Sequence, residues 1–215
     1  FTYDNDNRMT AFTDSSGSTT IAYNDADQVT SYGGPHGTQT YDYDTVGRRK
    51  KTYMAGYGTG FYEYAYDDAS RMTSILDTDG QTTSFVYDDA DRLEKQTFGN
   101  GMWTEFGYDT RDRQTSVKHY KTGPTLVSEE SYSYGPSGNL NSATKNSVTT
   151  TYDYDDADQL TLESIAGSWK QEYAYDPNGN RSSFKKYNWV SGAWNLQVND
   201  TYTYGAGDRL TAAGD

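Results

Sequence analysis

The eight residues Tyr41-Asp42-Tyr43-Asp44-Thr45-Val46-Gly47-Arg48 contain the pattern that decides the fold of this chain. The pattern is an aromatic residue, a spacer, a tyrosine, an acid and, four residues after the acid, an arginine-like polar residue. It recurs ten times in 215 residues. We call the tyrosine that follows the spacer the anchor. It recurs every 20 to 29 residues, and a period of this size is typical of an array of one small repeating unit. The anchors are Tyr3, Tyr23, Tyr43, Tyr66, Tyr87, Tyr108, Tyr134, Tyr154, Tyr175 and Tyr204.

The units align column by column when positions are numbered from the anchor, which is position 0. Position −2 is aromatic in nine units and isoleucine, Ile21, in the tenth. Position +1 is Asp, Asn or Gly, and position +5 is Arg, Gln or Asn. Position +6 is aliphatic in seven units, the exceptions being Arg49, Gln114 and Arg181. Each column therefore has a structural interpretation of its own.

The pattern predicts β-hairpins. An aromatic residue two positions before a tyrosine places both rings on one face of a strand, and Tyr, Phe and Thr favour strands. Turn-forming residues follow each anchor, as in Asp88–Asp91 and Asp176–Gly179. A second turn signal leads into the next unit, as in Asp14–Gly17, Asp77–Gly80 and Gly99–Gly101. We therefore expect an all-β chain, a meander of roughly twenty short antiparallel strands.

The acid at position +1 and the arginine at position +5 are expected to pair across one turn, because Asp caps turns and Arg binds carboxylates. The alternative is calcium binding, since Asp4–Asn7, Asp25–Asp27, Asp89–Asp91 and Asp156–Asp158 each place oxygen-bearing side chains two residues apart. These segments lack the glycine and the closing glutamate of the twelve-residue calcium loop. Turn capping is the favoured interpretation, and no metal site is predicted.

The repeats cover the whole chain, so residues 1–215 are predicted to form a single array of about ten hairpin units with no separate catalytic domain. The repeating side chains are expected to be structural. These predicted structural anchors are Tyr23, Tyr43, Asp44, Gly47, Arg48, Tyr66, Asp67, Arg71, Tyr87, Asp88, Arg92, Tyr108, Asp109, Arg113, Tyr154, Asp155, Tyr175 and Asp176.

Composition excludes several classes of function. A net charge of −13 and a pI near 4.4 would repel nucleic acid and anionic membrane surfaces. There is no cysteine for a disulfide or a thiolate metal site, and no apolar run approaches the ~18–20 residues of a spanning helix. The sequence begins and ends within a repeat, which leads us to expect a piece of a longer protein.

The residue inventory predicts that the chain is not an enzyme and binds no cofactor. Its two histidines, His36 and His119, fall in different repeats and are expected to be solvated. No Gly-x-Ser-x-Gly elbow or phosphate-binding loop is present. Carboxylate pairs recur once per turn, as turn residues would; a glycosidase-type acid pair is the remaining enzymatic alternative.

Two longer units could carry a local function. The spacing reaches 26 residues around His119–Pro124 and 29 residues around Tyr187–Trp194. Insertions in repeat proteins map to loops or lengthened hairpins and often bind partners. Trp189 and Trp194 stand at mirror positions around a Ser191-Gly192 turn, which favours a lengthened hairpin with a cross-strand aromatic pair. The alternative is ligand contact by Tyr187, Trp189 and Trp194.

The phrase at Tyr41–Arg48, with its nine other copies, resembles the YD repeat of the rearrangement-hotspot (RHS) family, and the resemblance covers essentially the whole chain. That family includes bacterial polymorphic toxins, cocoon components of insecticidal toxin complexes and animal teneurins. The resemblance implies one continuous curved antiparallel sheet that spirals into part of a shell or barrel. The family's core segment, in some members autoproteolytic, is not recognisable here, since Asp176–Gly179 is an ordinary repeat turn.

The resemblance implies a non-catalytic structural scaffold, a wall segment of a large secreted or cell-surface bacterial protein that encapsulates a toxin or supports adhesion. The alternative is a carbohydrate- or protein-binding module that uses exposed Tyr and Trp side chains. The implied partners are other repeats of the same parent protein and an encapsulated toxin domain or a carbohydrate. Exposed strand edges also predict edge-to-edge self-association.

Overall fold

The computed structural model describes residues 1–56 and 60–214, and it confirms the all-β fold class. In these residues there are twenty strands and no helix, and hence no helix that could cross a bilayer. The strands join in antiparallel hairpins. The chain divides into two compact units, Phe1–Thr104 and Glu105–Asp215, which are described separately below.

In the first unit each strand pairs antiparallel with the next one along the chain, from β1 to β10. The turn between β6 and β7 falls outside the described residues. The strands are β1 (Thr2–Tyr3), β2 (Met9–Asp14), β3 (Gly17–Tyr23), β4 (Val29–Gly34), β5 (Gly37–Tyr43), β6 (Arg49–Gly56), β7 (Gly60–Tyr66), β8 (Met72–Asp77), β9 (Thr82–Tyr87) and β10 (Leu93–Thr97).

β11 (Trp103–Tyr108) contains residues of both units. In the second unit the strands from β12 to β20 again pair in chain order. The lengthened strands are β12 and β13, and β18 and β19, so both insertions extend a hairpin. The strands are β12 (Gln114–Lys121), β13 (Thr125–Tyr134), β14 (Leu140–Lys145), β15 (Val148–Tyr154), β16 (Leu160–Ile165), β17 (Trp169–Tyr175), β18 (Arg181–Val190), β19 (Ala193–Gly205) and β20 (Arg209–Gly214).

In most strands that end in an anchor, the residue between positions −2 and 0 is exposed while its two neighbours are half-buried. In β3, Ile21 and Tyr23 are half-buried and Ala22 between them is exposed. The same alternation occurs in β15, where Tyr152 and Tyr154 are half-buried. The rings at positions −2 and 0 therefore share one face, which we call the aromatic face.

The described residues contain no fully buried hydrophobic side chain. The buried residues with polar side chains are Thr19, Thr52 and Thr104, which are 5–7% exposed. Half-buried tyrosines carry the packing because each ring covers a large apolar area while its hydroxyl keeps a polar partner.

A β-bulge follows the repeat turn and fixes the register of the next strand. The pairing between β5 and β6 shifts between Asp42 and Tyr43, so that Tyr43 lies opposite Arg49. The same shift places Tyr66 opposite Met72 and recurs in the hairpins β1–β2, β3–β4, β9–β10, β13–β14, β15–β16, β17–β18 and β19–β20. A bulge increases strand twist and leaves one residue unpaired. Position +6 thus lies opposite the anchor in each of these hairpins.

Candidate functional site

The repeat turn is closed by the acid at position +1. In the turn after Tyr87, Asp88 Oδ1 accepts hydrogen bonds from the backbone N–H groups of Ala90 and Arg92 at 2.9 and 3.0 Å. Asp88 Oδ2 accepts one from Arg92 Nε at 2.8 Å. One carboxylate therefore holds both the turn and the arginine that ends it. The same pairing joins Asp4 to Arg8, Asp44 to Arg48, Asp67 to Arg71 and Asp109 to Arg113.

Repeats without arginine at position +5 keep the turn through hydrogen bonds from backbone N–H groups to the carboxylate at position +1. Asp155 accepts from the N–H groups of Ala157 and Gln159, both at 2.9 Å. Asp176 accepts from the Asn180 N–H at 3.0 Å. The Asx-turn, and not the ion pair, is therefore the part of the motif that recurs most widely.

Position +4 adopts positive φ in all ten units, a column that the sequence interpretation missed. Left-handed backbone is tolerated best by Gly, Asn and Asp, and these types, with one serine, fill the column. The chemical signal was therefore present in the sequence. The residues are Asn7, Asp27, Gly47, Ser70, Asp91, Asp112, Gly138, Asp158, Gly179 and Asp208.

The side chain at position +5 also reaches the following unit, and we call it the connector. The Arg71 guanidinium lies over the ring of Tyr87, the next anchor, at 4.8 Å from the centroid, and pairs with Asp91 in the next turn. Cation–π contact and a charge-assisted hydrogen bond therefore join two repeats through one side chain. Equivalent stacking joins Arg8 to Tyr23, Arg48 to Tyr66 and Arg113 to Tyr134 at 4.5–5.0 Å.

Amide connectors make the same link by hydrogen bonds alone. Gln28 Nε2 donates to the carbonyl oxygen of Gly47 in the next turn at 2.8 Å. Asn139 Nδ2 donates to Asp158 Oδ1 at 2.7 Å, and Asn180 Nδ2 to Asp208 Oδ1 at 2.9 Å. The connector in one unit is thus matched to position +4 of the next, a pairing between adjacent repeats that a column-by-column comparison does not show.

The anchor hydroxyl makes a third link, to the preceding unit. Tyr87 Oη donates to the carbonyl oxygen of Met72 at 2.8 Å, and Met72 is position +6 of the unit before. The partner is a backbone atom, which explains why position +6 tolerates Arg49, Gln114 and Arg181. The same bond is made at 2.7–3.0 Å by Tyr23, Tyr43, Tyr66, Tyr134, Tyr175 and Tyr204. Tyr108 and Tyr154 are half-buried on their strands.

In four repeats the tyrosine hydroxyl at position −2 donates to a side chain at position −4, two residues back on the same face. Tyr132 Oη donates to Glu130 Oε2 at 2.7 Å, and Tyr173 Oη to Gln171 Oε1 at 2.6 Å. Where position −2 is Phe106 or Ile21, the residue at position −4 is a buried threonine. The pairing of tyrosine at position −2 with Gln, Glu or Asp at position −4 in these four repeats is visible in the sequence and was missed.

The pKa of Tyr132 is raised to about 12, first by the hydrogen bond to the Glu130 carboxylate and then by burial. A raised tyrosine pKa stabilises the fold below the unfolded value of 10.0, and this contribution is lost as pH rises toward 12. We expect Glu130→Gln to move the pKa of Tyr132 toward 10.0, measured by NMR of ring-labelled tyrosine. Tyr173, whose pKa is raised chiefly by burial, serves as the control and should not change. An unchanged Tyr132 titration would contradict the assignment.

Acid should weaken the repeat turns. The Arg92 guanidinium and backbone N–H lower the pKa of Asp88 below 3.8, and Arg8 does the same for Asp4. A lowered carboxyl pKa stabilises the fold above the unfolded value, and this contribution disappears as pH falls through the folded value. We expect the melting temperature to fall steeply below about pH 4, and Asp88→Asn to flatten that slope. Asp89→Asn, at an exposed side chain, should leave it intact; equal slopes in both variants would refute the prediction.

The acids at position +4 of the turns bind side chains of neighbouring repeats. Asp27 pairs with Arg8, Asp91 with Arg71, and Asp158 accepts from Asn139. Among the residues that the structure describes, no group of three or more His, Asp or Glu side chains is placed to hold a metal ion. The calcium alternative stays an untested hypothesis.

The two histidines lie in different compact units. His36 is in the turn between β4 and β5, His119 is within β12, and both are exposed. His119 is opposite Ser128 of β13.

Tyr187, Trp189 and Trp194, the candidate ligand contacts, lie together on the lengthened hairpin of the second unit. Trp189 is opposite Trp194, and their rings meet edge to face at 4.9 Å between centroids. Tyr187 lies two residues before Trp189 on the same face. Lys170 Nζ lies 4.4 Å from the Tyr187 ring centroid and contacts Glu172 Oε1 at 2.5 Å. The predicted cross-strand aromatic pair is confirmed, and its ligand remains a prediction.

Comparison with known proteins identifies the repeat. Residues 66–101 match the model of the RHS repeat, which confirms the resemblance recognised in the sequence. These residues run from the anchor Tyr66 through the next unit, whose turn and connector geometry recurs along both units. The match shows an RHS repeat at residues 66–101. A search of curated proteins finds no match.

Solved structures share the fold. A TcdB2-TccC3-Cdc42 crystal structure superposes with a TM-score of 0.66 at 16% identity, over 92% of this chain and 12% of that one. TcdB2-TccC3 without its hypervariable C-terminal region gives 0.66 and 16%, over 93% and 12%. A Photorhabdus luminescens Tc holotoxin pore gives 0.51 and 13%, over 90% and 13%. This chain thus spans about an eighth of the similar structures' length.

Proposed function

We propose that the chain is a non-catalytic structural scaffold, a wall segment of an RHS-repeat shell in a large secreted or surface-exposed bacterial protein. The observation that supports it most is the connector geometry, in which turn acids, connectors and anchor tyrosines bind within their own repeat or to an adjacent one. Side chains engaged in this way position the neighbouring hairpins. The shared fold with Tc toxin components supports a shell over an isolated sheet.

The proposed partners are other RHS repeats of the same parent protein and a polypeptide enclosed by the wall. A wall separates its two sides only if successive hairpins stay joined, and the connectors supply that continuity. Weakening one connector should therefore separate two neighbouring hairpins and open the wall at that point.

The test is protease protection in the full-length protein that carries this segment. Arg71→Gln combined with Tyr87→Leu should make the enclosed polypeptide sensitive to protease, whereas Tyr62→Ala, at a side chain 40% exposed, should leave it protected. Equal sensitivity of both variants, or no protection in the parent protein, would overturn the proposal.

Carbohydrate binding is the second candidate, and the aromatic hairpin is the observation that favours it. Trp189 is 39% and Trp194 36% exposed, so both indoles are available to stack on sugar rings beside the Lys170–Glu172 pair. Trp194→Ala should abolish binding in a glycan-array screen, while Tyr62→Ala should not. Absence of any glycan that distinguishes the two variants would exclude this candidate.

A further inference from the structure

A cavity of about 680 Å³ opens on the aromatic face of the first unit, at the strand ends opposite the repeat turns. Phe12, Tyr32 and Met54 form its apolar walls, and the buried Thr19 is among its lining residues. Its size is that of a small-molecule site, for which a few polar groups on mostly apolar walls are typical. In a chain with no buried hydrophobic side chain among its described residues, a concave apolar surface of this size is unusual.

The cavity is built by close approach of successive hairpin turns, which makes it preformed. A Cβ atom at Gly17 would overlap the Pro35 ring, and one at Gly37 would overlap the carbonyl oxygen of Ala55. The Phe61 N–H donates to Thr78 Oγ1 at 2.5 Å, which ties β7 to the turn between β8 and β9. A ligand therefore meets walls that are already in place, and binding requires little ordering.

The charged lining is acidic. Asp14 and Asp79 line the cavity, together with the exposed His36. Asp14 Oδ1 accepts from the N–H and hydroxyl of Ser16, and these bonds lower the pKa of the carboxyl. Among residues 1–56 and 60–214 the Asp79 carboxylate has no hydrogen-bond or ion-pair partner.

A second groove in the first unit does not favour one sign of charge. Its volume is about 800 Å³, and its lining includes Lys50 and Lys51 as well as Asp44 and Glu63, so both signs of charge are present. Among the described residues that line it, the cavity at Asp14 and Asp79 has aromatic side chains and carboxylates but no lysine or arginine. That combination selects positive charge on an apolar body, because ring faces and carboxylates both attract cations.

We propose that this cavity is a binding site for a small organic cation, an alkylammonium group attached to an aromatic ring. The ring packs against Phe12, Tyr32 and Met54, and the ammonium group is attracted by Asp14 and Asp79. The net charge of −13 raises the local concentration of such cations. The assignment is independent of the scaffold role.

The test uses three soluble molecules of one shape: tyramine, which is cationic, tyrosol, which is neutral, and 4-hydroxyphenylacetate, which is anionic. Isothermal titration calorimetry on the whole chain should show tyramine binding at least about ten-fold more tightly than tyrosol, and the anion not at all. Asp79→Asn should reduce the preference for tyramine. Tyr32→Leu should weaken tyramine and tyrosol alike.

The matched control is Asp89→Asn, which removes the same charge from an exposed turn that does not line the cavity. It should leave tyramine affinity unchanged. Equal effects of Asp79→Asn and Asp89→Asn would show general attraction to an acidic protein and overturn the proposal. So would indistinguishable affinities for the three molecules, or no binding by any of them. Asp79 is exposed, so its variant tests charge without disturbing packing.

Discussion

Tyr87→Ala should destabilise the first unit by about 2–4 kcal/mol, because it removes a half-buried ring, as other large-to-small substitutions do. The ring is covered by the Arg71 guanidinium, and its hydroxyl binds the Met72 carbonyl. Tyr87→Phe should account for about 1 kcal/mol of the loss, the net value of one hydrogen bond. Denaturant unfolding followed by circular dichroism measures both.

The control is Tyr62→Ala. Tyr62, on β7, also belongs to the aromatic face, but it is 40% exposed. Substitutions at exposed positions usually change stability by no more than about 0.5 kcal/mol. A loss at Tyr87 no greater than at Tyr62 would show that the anchors do not hold the repeats together.

Gly37→Ala should cost roughly 3 kcal/mol or more, since backbone strain and steric overlap add at one position. Gly37 has φ of +120°, and a Cβ atom there would overlap the Ala55 carbonyl oxygen on the neighbouring strand. The expected result is a large fall in the melting temperature, with loss of the cavity beside it.

Gly80→Ala is the matched control because Gly80 also has positive φ, +76°, but a Cβ atom there meets no atom within 4 Å. It should cost about 1–2 kcal/mol from the left-handed backbone alone. Equal costs at the two glycines would mean that close approach of the strands does not matter.

The sequence predicted the hairpins because their signals are local. The aromatic pair at positions −2 and 0 reports the face of a strand, and turn residues such as Asp77–Gly80 report where it ends. The turn of Asp88 and Arg92 could also be inferred, since both partners lie within one unit.

Links between units were harder to predict. The stacking of Arg71 on Tyr87 depends on the register of two hairpins, which is set by the bulge that follows the repeat turn. The bond from Tyr87 to the Met72 carbonyl leaves no trace in the identity of residue 72, because the acceptor is backbone. The cavity at Tyr32 and Asp79 joins residues from separate hairpins whose approach depends on glycines.

The measurement that tests the connector role most directly is a double-mutant cycle between Arg71 and Tyr87. Arg71→Gln and Tyr87→Leu, alone and together, should give a coupling energy of about 0.5–1 kcal/mol, as for a partly exposed cation–π pair. The effects of Arg71→Gln and Tyr43→Leu should be additive within about 0.5 kcal/mol, because Arg71 stacks on Tyr87 and not on Tyr43, the anchor two repeats earlier. Additivity at Arg71 and Tyr87 would contradict the account, since the repeats would then be joined without their connectors.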